Sequence, residues 1–222
     1  LVDSCLLGHG SAAQFPLSPA SEEYPTELEA PYSIAALQQL AQEEAGTSGD
    51  AGNTSSDNAS AGMYAGVSVT LLVNEENSFK VSAAQEIAAA LSRCGLTVTV
   101  DSVPWETYLQ RLQDGSFDLY YGECRLTADW DLTPLLAAGG ALNYGRYADA
   151  QCNTLLDAFS LNETDQTARA LYRYLAQSAP IAPIAFKTAS VLTPSGLIDG
   201  LNPTVSSPFY GIEGWTVHFD KR

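Results

Sequence analysis

Apolar and polar positions along the first two-thirds of the chain alternate between two periods. Residues 67–73 and 96–100 are short runs rich in β-branched residues, 117–121 is an apolar, aromatic run, and all three predict strands. Between the first two, Val81, Ala84, Ile87, Ala88 and Leu91 fall on one face of a helix that Ser78 can cap and Cys94-Gly95 can close. Between the second and third, Pro104 opens a helix with Trp105, Tyr108, Leu109 and Leu112 at offsets 0, 3, 4 and 7, and Asp114-Gly115 ends it. The spacing places Trp105 in the core. Helical spacing recurs at 31–46 (Ile34, Leu37, Leu40, then Gly46), at about 149–160 and at 163–178, where Ala168, Leu171, Tyr172, Leu175 and Ala176 share a side. Residues 179–186 are apolar but hold Pro180 and Pro183, which suits an edge strand, with 191–193 continuing it. Near the end, 215–219 reads as a last strand.

The succession strand, helix, strand, helix, strand is a βαβαβ unit, so the expected fold class is α/β, a mixed sheet with helices on both faces. The chain divides into a lead-in segment with a first helix (1–46), a loop (47–62), an α/β lobe (63–200) and a closing segment (201–222). The loop is drawn from Gly, Ser, Asn, Asp, Thr and Ala and has no large apolar side chain to bury. Asn53, Asn58 and Asn162 begin glycosylation-type triplets, which arise readily in such sequence.

Length and charge narrow the function. A chain of 222 residues, 45% hydrophobic, can bury one sizeable core, and no apolar run approaches the ~20 residues that span a bilayer. Twenty-six acidic residues against ten basic ones, net −16, disfavour nucleic acid, whose phosphates require cationic partners. The four cysteines (Cys5, Cys94, Cys124, Cys152) lack CxxC spacing and are expected to be free, mostly buried thiols, with Cys5 a small hydrophobe rather than a lipidated residue. His9 and His218 stand at opposite ends, so no His-based metal site and no cofactor is expected. The start, without Met or an apolar leader, reads as that of an excised piece.

The candidate chemistry lies where the third strand runs out. Gly122-Glu123-Cys124-Arg125-Leu126-Thr127-Ala128-Asp129-Trp130-Asp131 collects charges and a Trp at a strand's carboxyl end, the edge where open α/β sheets bind ligands; a solvated loop of ordinary surface charges is the plainer alternative. Arg125 could clamp a ligand carboxylate or neutralise Glu123. Glu123 and Asp129 could also form the acid/base pair of a hydrolase, although no nucleophile elbow, phosphate loop or metal motif accompanies them.

The order of these features resembles the C-terminal half of the family 5 extracellular solute-binding proteins, the peptide- and nickel-binding components of ABC importers. The resemblance rests on the 67–73 strand, the helix ending at Gly95, the 96–100 strand, Trp105-Glu106-Thr107-Tyr108, Gly115-Ser116-Phe117-Asp118, Asn143-Tyr144, Ala168-Arg169-Ala170-Leu171-Tyr172 and the prolines of 180–186, with Leu6-Leu7-Gly8-His9-Gly10-Ser11-Ala12 at the start. It implies one lobe of a two-lobed receptor that captures oligopeptides outside the cell, its partners being the missing N-terminal lobe and a membrane permease, with the parent protein lipid-anchored at the bacterial membrane or periplasmic. It also implies an acidic anchor for the ligand's ammonium. Asp129 is the first choice, and Glu123 or Asp131 alternatives because the turn's register departs from the family's. Arg125, Trp130, Asn143 and Tyr144 are further wall residues. A lobe of a sensory or interaction receptor is the other non-enzyme reading.

Overall fold

The computed structural model describes residues 1–21, 23–28, 66–93, 95–204 and 207–219. The helix expected at 31–46, the loop 47–62 and Cys94 lie outside the described residues.

At the centre are three parallel strands in the order β3-β2-β4: β2 (Ser68–Asn74), β3 (Thr97–Val103) and β4 (Leu119–Tyr120). Two helices connect them, α2 (Ser78–Ser92) and α3 (Trp105–Asp114). Side chains of a strand alternate between faces, and here the alternation assigns the helices. Leu71 and Val73 pack with Ala84, Val81 and Ile87 of α2, while Leu72 packs with Tyr108 and Leu112 of α3, so the helices cover opposite faces. Asn77, not Ser78, caps α2: its extended backbone (φ −111°) lets the side chain accept from the Lys80 N–H. Gly115 ends α3 in the left-handed region at φ +72°, where a Cβ would be strained.

A second layer is helical. Helices α5 (Ala150–Leu161) and α6 (Asp165–Ser178) pair, and their Cys152, Leu156, Phe159, Ala168, Leu171, Tyr172 and Leu175 enclose Phe15 and Leu17 from the N-terminal segment, Leu136 of the short α4 (Thr133–Leu136) and Leu132 just before it. Asp149 caps α5 and Thr164 caps α6, with Thr167 returning the bond to complete a capping box. The Tyr172 hydroxyl, wholly buried, has no hydrogen-bond partner among the described residues.

Two antiparallel pairs complete the described residues. β1 (Gly10–Ala12), which follows the one-turn helix α1 (Val2–Cys5), pairs with β5 (Ala185–Lys187). β6 (Ile198–Asp199) pairs with β7 (Thr216–Val217), where His218 Nε2 meets Asp199 at 2.8 Å. The expected continuation of β5 at 191–193 does not form: Val191 and Leu192 are exposed and in no strand. The thiols differ from expectation as well. Cys152 is buried, Cys5 half-buried and Cys124 exposed.

Candidate binding surface at the strand ends

Because β2, β3 and β4 are parallel, their carboxyl ends Asn74, Val103 and Tyr120 meet along one edge. Asp118 determines where β4 begins. Its carboxylate accepts the Thr70 N–H at 2.8 Å, filling the bond β4 has not yet reached, and Leu119–Tyr120 then pair with Leu71 and Leu72. Tyr121 N–H donates to Leu72 O at 2.9 Å, after which the chain leaves the sheet. Gly122 allows this exit. A Cβ there would lie 2.9 Å from the Tyr120 ring, and the backbone beside it is fixed by Tyr108, whose hydroxyl donates to Tyr121 O at 3.0 Å.

Glu123 comes next and is held by two cations. Lys187 of β5 donates to Oε2 at 2.8 Å and Lys80 of α2 reaches the same oxygen at 3.3 Å, while Lys187 also sits over the Phe79 ring at 5.1 Å. Burial pushes the Glu123 carboxyl up, but the Lys187 hydrogen bond and the charges of Lys80 and Lys187 outweigh it and hold the group below the ordinary Glu range. Two lysines from distant segments thus neutralise Glu123, one of the two roles the sequence left open for Arg125. Arg125 lies exposed on the same loop.

The second half of the loop is a tight turn presenting Asp129. Trp130 N–H donates to Thr127 O at 3.1 Å, the Thr127 hydroxyl accepts the Asp131 N–H at 3.2 Å, and Asp131 accepts the Thr133 N–H at 2.8 Å at the head of α4. Asp131 is therefore occupied in holding the turn. Asp129 stands exposed at its tip, and a hydrogen bond from Thr127 keeps its carboxyl below the usual Asp range, fully ionised at neutral pH. Trp130, at φ +54°, directs its ring inward onto Phe186 (centroids 5.7 Å apart, 87° between planes) and the helical core, so it anchors the turn rather than lining a pocket.

Asn143 and Tyr144 occupy a neighbouring loop. Asn143 Nδ2 donates to Ala137 O at 2.9 Å and Tyr147 O at 2.7 Å, and its Oδ1 accepts the Tyr147 N–H at 2.9 Å, so the side chain clasps its own loop. Tyr144 meets Tyr120 edge-on at 6.2 Å within the cluster beneath α3. Arg146 fixes this loop to the C-terminus of α3 by donating to Asp114 O at 3.2 Å, where a cation also suits the helix dipole.

Trp105 departs most from expectation. It is 48% exposed, stacked on Tyr108 (5.7 Å, 21°), with its backbone N–H donating to Glu76 at 3.0 Å. Sequence reasoning also passed over Lys80, Lys187 and Phe79. Scarcity was an available signal: the chain has three lysines, and two of them converge on Glu123.

The loop can thus offer one exposed, ionised carboxylate, that of Asp129, beside a neutralised Glu123. Acid/base catalysis by the pair is not what this arrangement favours, because a general acid needs a raised pKa and both carboxyls are held low. Among the described residues, no group of three or more His, Cys, Asp or Glu side chains is placed to hold a metal ion, and no helix is long and apolar enough to cross a membrane.

Comparison with known proteins accords with this architecture. The oligopeptide-binding protein AppA of Bacillus subtilis is 24% identical over 97% of this chain, which spans only 41% of that protein. The structure of AppA with a nonapeptide superposes with a TM-score of 0.62 (22% identity, 98% of this chain, 44% of that one). A mannohexaose-bound periplasmic oligopeptide-binding protein of Thermotoga maritima gives 0.69 (17% identity, 94% and 42%). NikZ of Campylobacter jejuni in complex with Ni(L-His) gives 0.66 (12% identity, 97% and 45%). The chain therefore spans less than half the length of these relatives, and the structures share its fold. Residues 1–139 match the family described as bacterial extracellular solute-binding proteins, family 5 Middle, and on that match the chain belongs to the family 5 extracellular solute-binding proteins.

Proposed function

We propose that this chain is one lobe of an oligopeptide receptor serving an ABC importer, and that Asp129 is the anchor for the peptide's α-ammonium. The observation that carries the reading is the Asp129 turn: an ionised, exposed carboxylate at the tip of a braced loop at the carboxyl edge of a parallel sheet, in a member of a solute-binding family. An ammonium needs such a partner, since charge-assisted N–H···O bonds are about twice as strong as neutral ones. Glu123, saturated by two lysines, serves to fix the loop, and Asp131 and Trp130 position the turn. Arg125, exposed on the same loop, would meet a carboxylate of the ligand. Asn143 and Tyr144 support the wall from behind.

The described surface is an open edge. Two shallow depressions among the described residues lie away from it, beside Arg169 and Arg173 on α6 and between α1 and α2. A ligand-binding cleft normally buries most of its ligand, so a second wall from the remainder of a longer protein is part of the proposal, as are the permease that receives the ligand and a location outside the cell membrane, by lipid anchor or in the periplasm. Exposed Phe209, Tyr210 and Ile212 in the closing segment supply apolar surface that such a second lobe would cover. The chain alone is expected to bind peptides weakly or not at all.

Calorimetric titration of the full-length protein with a mixed di- to hexapeptide library tests the reading. Binding is expected, and Asp129→Ala should weaken it at least tenfold, while N-acetylated peptides should bind the wild type no better than free peptides bind the variant. Equal affinity for free and acetylated peptides would remove Asp129 from the role, and no heat from any peptide would remove the peptide reading itself.

A further inference from the structure

Two consecutive residues of β5 grip the ligand-facing loop on either side of Asp129. Lys187 donates to Glu123 at 2.8 Å near the loop's start, and the Phe186 ring meets Trp130, the neighbour of Asp129, edge-on at 5.7 Å. Successive residues of a strand project to opposite faces, so the two contacts hold separate points of the loop rather than one. Each is itself supported. The Lys187 ammonium lies 5.1 Å from the centre of the Phe79 ring, and Trp130 has a left-handed backbone, φ +54°, which a non-glycine residue keeps only where its surroundings determine it. β5 is fixed in turn to β1, and the pairing extends past the three registered residues at both ends: Ala13 N–H donates to Ile184 O and Thr188 N–H to His9 O, each at 3.1 Å. The bonds to Thr127 set the shape of the turn, and the contacts with β5 tie that turn to the rest of the lobe.

We infer that the β1/β5 ribbon positions the ammonium anchor, with Lys187 and Phe186 as positioning residues that act on Asp129 through Glu123 and Trp130. The inference rests on the reading of Asp129 as that anchor and adds the element that determines where its carboxylate stands. Lys80 has a lesser part. It comes from α2 rather than from the ribbon, and it reaches the same Glu123 oxygen at 3.3 Å, 0.5 Å farther than Lys187.

The test is calorimetric titration of the full-length protein with the free and N-acetylated forms of one peptide, because the ratio of the two affinities reads the ammonium contact and little else. In the wild type the free form should bind about tenfold tighter or more, as a hydrogen bond to a charged group warrants. Lys187→Met should lower that ratio about two- to tenfold, the effect of one weakened hydrogen bond, and leave the acetylated peptide's affinity unchanged. Lys187→Arg keeps the charge and the ring contact and should restore most of the ratio, which separates loss of the ion pair from loss of the fold. Phe186→Ala should lower the ratio too, and Lys80→Met should lower it less than Lys187→Met does. A ratio unchanged by either Lys187→Met or Phe186→Ala would overturn the inference. So would an equal weakening of free and acetylated peptides, the mark of a merely structural role, and so would a Lys80→Met effect matching that of Lys187→Met, which would assign the loop's placement to the charge on Glu123 and not to the ribbon. All three leave the Asp129 reading standing. A wild-type ratio near one would overturn that reading and the inference with it.

Discussion

The helical layer and the strand-end edge differ in what their residues are occupied with. In the α5–α6 layer eleven side chains are buried together, drawn from four parts of the chain, and apart from the buried Tyr172 hydroxyl the cluster is apolar. The sheet has only three buried side chains in each of its two clusters, one on either face, and its edge is built from hydrogen bonds, ion pairs and stacked rings. Stability and recognition are thus housed separately, so that the loops at the edge can vary without touching the main core.

The largest effect should come from the helical layer. Leu171→Ala removes a side chain with no exposure from the centre of the cluster and should cost about 2–5 kcal/mol in chemical denaturation, whereas Ile87→Ala, on the half-covered α2 face of the sheet, should cost about 1 kcal/mol. Equal losses would mean that the sheet is more tightly sealed than its packing indicates. Asn143→Ala comes next. It strands two carbonyls and one N–H of the 137–147 loop and should cost about 1–3 kcal/mol, a large amount for a half-exposed polar residue, measured in the same way.

The smallest effect belongs to Glu123. Its carboxyl is held low in the folded state, so its contribution is present above the unfolded pKa near 4.3 and is lost as pH falls through the lower folded value. Glu123→Gln should therefore cost about 0.2–1 kcal/mol at pH 7, less in high salt, and the gap between variant and wild type should close as pH falls from about 5 toward 3. Melting curves across that range would detect it; a gap that widened toward acid would show that the lysines do not stabilise the carboxylate.

The βαβαβ unit was readable because its periods of 2 and 3.6 are local properties, and the α6 face was readable for the same reason: four of its five expected residues are buried. Errors arose where local pattern met a boundary. Trp105 continues the apolar stripe of α3, but β3 ends at Val103, so no sheet lies beneath the first turn to cover the ring. Residues 191–193 have strand-forming side chains and no partner strand among the described residues. Asn77 and Ser78 are both competent caps, and backbone geometry alone chose between them. At the site, the position of the loop was legible from the end of the apolar run. Its wiring was not, since the Glu123–Lys187 contact joins residues 64 apart through the register of a separate β-ribbon. The occupations of Asp131 and Asn143 likewise depend on loop conformations that spacing does not encode.

The pairing of β1 with β5 also sets an order on folding. Gly10–Ala12 and Ala185–Lys187 lie about 170 residues apart, so their meeting closes a long loop, whereas the central sheet assembles from segments much nearer to one another. Phe15 and Leu17 stay uncovered until the α5–α6 pair is in place to enclose them. Docking of the β1 segment is thus the step of highest contact order, and the slow step of folding should be that closure rather than the formation of the sheet.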